Sequence, residues 1–280
     1  MAAYAFSGAS RYWTALQQME IMEKIHAHES LGLSVVIITK NESRHIAACI
    51  DSVRFADEII VLDSGSTDGT VEIAVEHGAI VQQCTDWPGF GPQKNRVLAL
   101  ATQPWVLAID ADEQVTAALR EEIMQTLKAP EFDAYEVSRL SEFCGKPIRY
   151  SGWFPDYVLR LFRRGIGRFN DVPVHERFET TTPVGRLKNY FLHFPFENLD
   201  MVASKINRYS TIAAVAMAKK GKRVGLFGVV GHCLWTFFRI YILRRGFLDG
   251  RYGFVLAVTA AFGSFLRYAK LMFINRSERG

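Results

Sequence analysis

Trp105-Val106-Leu107-Ala108-Ile109-Asp110-Ala111-Asp112-Glu113 decides how this chain is read. An apolar run of strand length ends in two carboxylates one residue apart, with a third beside them. Such a run reads as a strand buried on both faces, and acids at its carboxyl end stand where open α/β sheets take their ligands. Carboxylates this close repel unless a cation lies between them, and the cation suited to oxygen ligands beside phosphates is Mg²⁺ or Mn²⁺. Asp110 and Asp112 thus read as holders of a metal that in turn holds a diphosphate. The alternative is that the acids cap the next helix, read from Val115 to Leu127. Asp-X-Asp by itself does not choose between them.

Working outward, the pattern recurs upstream. Leu33-Ser34-Val35-Val36-Ile37-Ile38-Thr39 is a β-branched run that ends in Lys40-Asn41-Glu42-Ser43 before a helical stretch around Ile46 and Ile50. Glu58-Ile59-Ile60-Val61-Leu62-Asp63 is followed by Ser64-Gly65-Ser66-Thr67-Asp68-Gly69-Thr70 and a helix from Val71 to His77. A third strand is expected over Gly78 to Gln82, and a helix from Gln93 to Ala101. Strand and helix alternating in this way predict an α/β fold with a parallel sheet covered on both faces. Thr39 to Glu42, Asp63 to Asp68 and Asp110 to Asp112 would then converge on one crevice. Each has a plainer reading, with Asn41 and Ser43 as helix caps and Asp63 to Asp68 as a Gly-rich turn.

These three blocks, in this order and spacing, resemble the nucleotide-sugar domain of family 2 glycosyltransferases. The resemblance implies the GT-A fold, with a mainly parallel central sheet. It also implies that Thr39, Asn41 and Glu42 border the base and ribose of a nucleotide, that Asp63 contacts the uracil, and that Asp110, Ala111 and Asp112 serve the diphosphate and metal. No GxxxxGK[ST] or GxGxxG occurs, so P-loop and dinucleotide-binding readings have no support.

Lys94 in the helix ahead of the central strand has the flexible point charge to reach a diphosphate, or is a solvated lysine. Downstream, Tyr135 to Leu140 alternates like a strand. Ser151-Gly152-Trp153-Phe154-Pro155-Asp156 then leads into Tyr157-Val158-Leu159-Arg160-Leu161-Phe162-Arg163-Arg164, which suggests a wall on the acceptor side. Trp153 is read as a platform for a sugar face or as a buried structural tryptophan. Arg160 or Arg163 is expected to pair with phosphate.

Direct displacement by a sugar hydroxyl needs a group that takes the hydroxyl proton. Asp171-Val172-Pro173-Val174-His175-Glu176-Arg177 supplies His175 and Glu176. Family 2 enzymes are inverting, and the resemblance favours Glu176 as base, with His175 orienting it or touching the diphosphate. Asp156 is the second choice of base. The plainer reading of Glu176 is a surface ion pair with Arg177.

The whole chain of 280 residues is 49% hydrophobic and 22% charged, a globular composition. Its net charge of +4 hides an asymmetry: residues 201–280 hold 14 Lys and Arg against 2 Asp and Glu, or about +12, and residues 1–200 carry about −8. Cys49, Cys84, Cys144 and Cys233 are scattered without zinc spacing, which suits a reducing compartment. Residues 1–31, with a helix expected over Trp13 to His26, read as an extension without the pattern of a signal peptide. Residues 32–198 read as the catalytic domain and 199–280 as a helical, basic, apolar region.

In that last region a helix is expected over Leu199 to Lys220. The stretches Val224 to Tyr241 and Gly253 to Phe273 are apolar but broken by arginines, and each reads as too short for a spanning helix. Aromatic and basic residues together, with Trp235, Phe237, Phe238 and Phe247 read as exposed, fit burial in the plane of an anionic bilayer surface. The alternative is that the apolar faces pack on the catalytic domain. No nucleic-acid module is recognised, and self-association is left open.

Arg244-Arg245-Gly246-Phe247-Leu248-Asp249-Gly250-Arg251-Tyr252, with Gly152 to Asp156 and Leu159 to Arg164, resembles the lipopolysaccharide inner-core β-1,4-glucosyltransferases. That resemblance implies UDP-glucose as donor, a heptose of the lipopolysaccharide core as acceptor, and a peripheral site at the cytoplasmic face of the bacterial inner membrane. A polyprenyl-phosphate sugar synthase and a non-catalytic UDP-sugar or lipid binding module remain as alternatives.

Overall fold

A computed structural model describes residues 32–172 and 176–277. The expected helix over Trp13 to His26 and the candidate His175 lie outside the described residues. Strand β1 (Leu33–Thr39) is the spine, running parallel to β2 (Glu58–Asp63) on one side and to β4 (Trp105–Asp110) on the other. Its side chains alternate between two separate cores, with Leu33, Val35 and Ile37 in one and Val36 in the other. This two-sided burial is why the run is continuously apolar. Register then places the carboxyl ends together, with Thr39 opposite Asp63 and Ile38 opposite Asp110.

Helices α1 (Ile46–Ser52), α2 (Thr70–Glu76) and α3 (Phe90–Leu98) make the crossovers among β1, β2, β3 (Ile80–Gln83) and β4. Two expected bounds move: β3 is the short strand beyond β2, and α3 starts three residues before Gln93. Gly91 lets α3 press against the chain at Asn170, whose carbonyl oxygen would lie 1.9 Å from a Cβ there. The Asn95 side chain fixes that docking, accepting from Phe169 N and donating to Phe169 O at 2.8 Å each.

The central strand does not lead directly into a helix. Short β5 (Glu113–Val115) comes first, and α4 (Ala117–Lys128) is capped by Thr116, whose side chain accepts from Leu119 N at 3.2 Å. The acids at 110, 112 and 113 are therefore not its caps. Nor do Asn41 and Ser43 cap α1, whose N-cap is His45 with no side-chain cap bond.

Beyond α4 the sheet is mixed. β6 (Ala134–Phe143), β8 (Asp156–Arg163) and β11 (Val184–His193) complete the order β3-β2-β1-β4-β8-β6-β11-β5. β8 is antiparallel to both β4 and β6, and β6 and β11 are parallel. Short β7 (Lys146–Pro147) pairs with β6, and β9 (Gly167–Phe169) pairs with β10 (Phe178–Thr180) as a separate ribbon. Phe178 of that ribbon stacks on Phe162 of β8 with centroids 3.8 Å apart. The mainly parallel α/β architecture expected from the sequence is thus present.

The C-terminal stretch is helical, as expected: α5 (Leu199–Lys219), α6 (Leu226–Phe238) continuing as a π-helix (Arg239–Leu243), a 3₁₀ turn (Gly246–Asp249) and α7 (Gly250–Ser277). Phe143, Ile148, Val202, Ile240, Leu256 and Ala257 form a third core that joins these helices to the β6–β7 hairpin. The corner between α6 and α7 is tied to that hairpin's downstream turn. Ser151 N donates to Arg244 O at 3.0 Å, and the Asp249 carboxylate accepts from Arg149 N at 3.1 Å, Tyr150 N at 3.2 Å and Ser151 Oγ at 2.9 Å.

Two expectations change here. Leu226–Leu243 and Gly246–Ile274 have mean hydropathies of 1.6 and 1.3, and by length and composition both are sufficient to cross a membrane. The arginines break the apolar run without shortening the helix. Phe237 is half-buried against Tyr241 and Phe254, whereas Trp235, Phe238 and Phe247 are exposed.

Candidate functional site

The crevice lies at the carboxyl ends of β1, β2 and β4, and its centre is a chain of alternating charges. Lys94 of α3 donates to Asp110 Oδ1 at 2.8 Å and to Glu176 Oε1 at 2.9 Å. Arg160 of β8 pairs with the other Asp110 oxygen and reaches Glu113 Oε1 at 3.3 Å. Arg139 of β6 pairs with Asp156 and stands 3.4 Å from Glu113. Glu113 also accepts from Asp110 N at 2.9 Å, so the buried acid next to the Asp-X-Asp pair holds its backbone.

Burial alone would push the Asp110 carboxyl up, but Arg160 and Lys94 outweigh it and hold it well below the usual range. Both Asp110 oxygens are therefore already matched by cationic side chains. The sequence reading had a metal separating the two aspartates; here Lys94 and Arg160 carry the charge balance at Asp110, and Asp112 is the open member of the pair. Its Oδ2 lies 3.5 Å from His193 Nε2, and His193 Nδ1 bonds Ser141 Oγ at 2.8 Å. Burial raises the Asp112 carboxyl, and His193 more than offsets this, leaving it below its ordinary value.

Among the described residues no three His, Cys, Asp or Glu side chains converge as a metal cage, and the open Asp112 carboxylate fits Mg²⁺ or Mn²⁺ held by one protein ligand with phosphate and water oxygens completing the shell. Glu42 stands across from Asp112. Burial first, and then the Asp112 charge, raise its carboxyl from 4.5 to about 7.

The edge formed by the β1 and β2 loops is built from backbone as much as from side chains. Asp63 accepts from Gly65 N and Ser66 N at 3.0 Å and from the Ser66 hydroxyl, so the turn reading of Asp63 holds and its carboxylate shapes the loop. Asn41 adopts φ 56°, and its side chain accepts from Thr67 N at 2.9 Å, locking the β1 loop to the β2 loop. Thr39 Oγ1 is buried without a hydrogen-bond partner among the described residues, which leaves a polar atom for a ligand.

The remaining expectations divide. Glu176 is paired with Lys94 inside the crevice, and its neighbour Arg177 bonds through the backbone to Asn170. Lys94 is 7% exposed in its side chain, which removes the reading as a solvated lysine. Asp156 is held by Arg139, and Ala111 is buried. Arg163 stands at the other end of β8, opposite Trp105, where it pairs with Asp133 and lies 4.8 Å over the Trp105 ring. It does not reach the crevice, because the antiparallel direction of β8 carries its last residue to the start of β4. Arg160 reaches the crevice, where one guanidinium nitrogen meets Asp110 and Glu113 and its buried Nε has no partner among the described residues. Trp153 is half-buried, packed against Phe143 and Phe196 at 6.0 Å. Glu113, Arg139 and His193 were not singled out from the sequence. Glu113 adjoined a motif that was, whereas Arg139 and His193 depend on strand pairings that no local pattern announces.

The glycosyl transferase family 2 profile matches residues 34–189. An uncharacterised glycosyltransferase, RP128, of Rickettsia prowazekii is 33% identical over 85% of this chain and 86% of its own length. The lipopolysaccharide core biosynthesis glycosyltransferase LpsC of Rhizobium meliloti is 34% identical over 86% of this chain and 92% of its own. Among solved structures, Staphylococcus aureus TarS in complex with UDP superposes with a TM-score of 0.47 at 16% identity, over 88% of this chain and 91% of that one. The profile spans the three acid-bearing strand ends, Lys94 and Glu176 alike, and the chain belongs to glycosyl transferase family 2.

Proposed function

We propose that this glycosyltransferase moves a hexose, glucose from UDP-glucose, onto a heptose of the lipopolysaccharide inner core with inversion at the transferred carbon. The observation that carries the reading is Lys94, which bridges Asp110 at the donor edge to Glu176 on the far wall. The kinship with LpsC supports the acceptor class, and the unpartnered Thr39 hydroxyl supports a base in the adjacent pocket.

Glu176 takes the proton from the acceptor hydroxyl as the new bond forms. Lys94 holds that carboxylate in place and retains Asp110 as a partner once the proton has been passed on. Asp112, with His193 beside it, would hold Mg²⁺ or Mn²⁺, which when bound neutralises the charge on the departing diphosphate. Arg160 and Glu113 position Asp110.

The C-terminal helices serve as a peripheral membrane anchor at the cytoplasmic face. Exposed Leu226, Val230, Leu234 and Phe238 recur every fourth residue along α6, and Phe254, Val258 and Phe262 do so along α7. With exposed Phe227 and Trp235 widening the face on α6, these stripes suit burial at a bilayer surface.

The test is UDP release from a panel of UDP-sugars with and without Mn²⁺, using detergent-dispersed core lipopolysaccharide lacking its outer sugars. Metal-dependent release stimulated by the acceptor is expected with UDP-glucose. Release with another UDP-sugar would correct the donor, and none with any would overturn the reading.

A further inference from the structure

A cavity of about 330 Å³ lies between α5, α6 and α7, within the roughly 300–1,000 Å³ range of small-molecule sites. Three cations line it, Lys205, Arg239 and Arg267, and no carboxylate does. Lys205 is engaged, donating to Pro195 O at 2.9 Å and lying 4.7 Å over the Phe196 ring. Arg239 and Arg267 have no side-chain partner among the described residues. Two guanidinium groups on one cavity with no acid to meet them make a site for an anion, and their planar forks favour phosphate.

Position narrows the ligand further. At about 100° per residue, Gly263, Ser264 and Arg267 on α7 fall on the side opposite that helix's exposed apolar stripe, and Arg239 and Ile240 come from the π-helical turn that continues α6. With those stripes in a bilayer, the cavity sits at headgroup level between the helix pair and the catalytic domain. Its inner wall also belongs to the reaction centre's own strand end. Phe194 N donates to Asp112 O at 2.9 Å, and two residues later Phe196 lines the cavity.

We propose that this cavity binds a phosphate group carried by the lipid-linked saccharide acceptor, gripped by Arg239 and Arg267. The proposal deepens the function above and takes the acceptor's class from it. The phosphate holds the acceptor beside Asp112 while its acyl chains remain along the apolar stripes.

The test uses the full chain and an Arg239→Gln/Arg267→Gln double variant, with an Arg239→Lys/Arg267→Lys control that keeps charge but loses the fork. Binding is measured to detergent micelles containing lipid A with its two phosphates, to micelles containing the dephosphorylated lipid, and to phosphatidylglycerol vesicles. The wild-type chain is expected to prefer the phosphorylated glycolipid at least tenfold. The Gln variant should lose that preference while vesicle binding changes less than twofold, and the Lys control should recover part of it. In turnover, the KM for a phosphorylated acceptor should rise about tenfold, with kcat and acceptor-independent UDP release unchanged. A preference that survives the Gln variant overturns the proposal. So does a parallel loss of vesicle binding, which would mean that the arginines read bilayer charge in general. Failure of UDP release in the wild-type chain would instead defeat the transferase reading, because the binding measurements need no turnover.

Discussion

The crevice and the helical end treat charge in opposite ways. Around Asp110, cations and acids alternate from Glu176 through Lys94, Arg160, Glu113 and Arg139 to Asp156, and Lys94 and Arg160 are almost wholly buried. In residues 201–280, 14 basic residues face 2 acids, and one of those acids, Asp249, is used on the corner. Buried charge must be paired where it stands, whereas surface charge without an internal partner is available to something outside the chain. On the function proposed above, the first region is preorganised for a reaction, and the second is left open for a surface and a substrate.

Asp112→Ala should break the first half of this comparison most completely. A roughly 10³-fold or greater loss of UDP release is expected, as removal of a metal's Lewis-acid contribution would give, with vesicle binding unchanged. Glu176→Gln should cost about 10²–10⁴-fold in transfer, the range for a general base, with UDP-sugar affinity by calorimetry nearly intact. A Glu176→Gln enzyme that retains most of its turnover would put the base elsewhere.

Lys94→Met tests the pairing itself. It leaves Asp110 and Glu176 without their shared cation, and urea unfolding should show a loss of about 3 kcal/mol, the low end for a broken buried pair, because Arg160 remains on Asp110. On the helical side, Phe227→Ser with Phe238→Ser should reduce vesicle binding tenfold or more. Each change should move stability by less than about 0.5 kcal/mol, since neither ring is in the core. An equal loss of stability would show that the stripes pack within the protein.

The last effect is on pH. Glu42 in the folded chain holds its proton up to about 7, against an ordinary 4.5. Between those values the native state binds more protons than the unfolded state, so stability should fall as pH rises from 4.5 through 7 and then level. Glu42→Gln should flatten that part of a urea-midpoint profile.

The strand ends were legible because each is announced locally, by an apolar run that stops at a polar residue; β1, β2 and β4 all do so. Distant pairing was not. Lys94 meets Glu176 only because Gly91 allows α3 to press on the chain at Asn170, and His193 meets Asp112 only because β11 lies beside β5. The same limit misplaced Arg163, since the antiparallel course of β8 cannot be read from its composition. In the helices, counting apolar residues underestimated the length, because a helix continues through an arginine that points aside.

The corner at Arg244 and Asp249 gives the molecule a fixed geometry of another kind. Had α6 and α7 been joined to the catalytic domain by a slack tether, the crevice would sample a range of heights above the lipid. Riveted at that turn, an enzyme seated on a membrane as proposed would be a ruler: it would accept a sugar that protrudes by one set distance, and a longer or shorter glycan would miss the reaction centre whatever its chemistry.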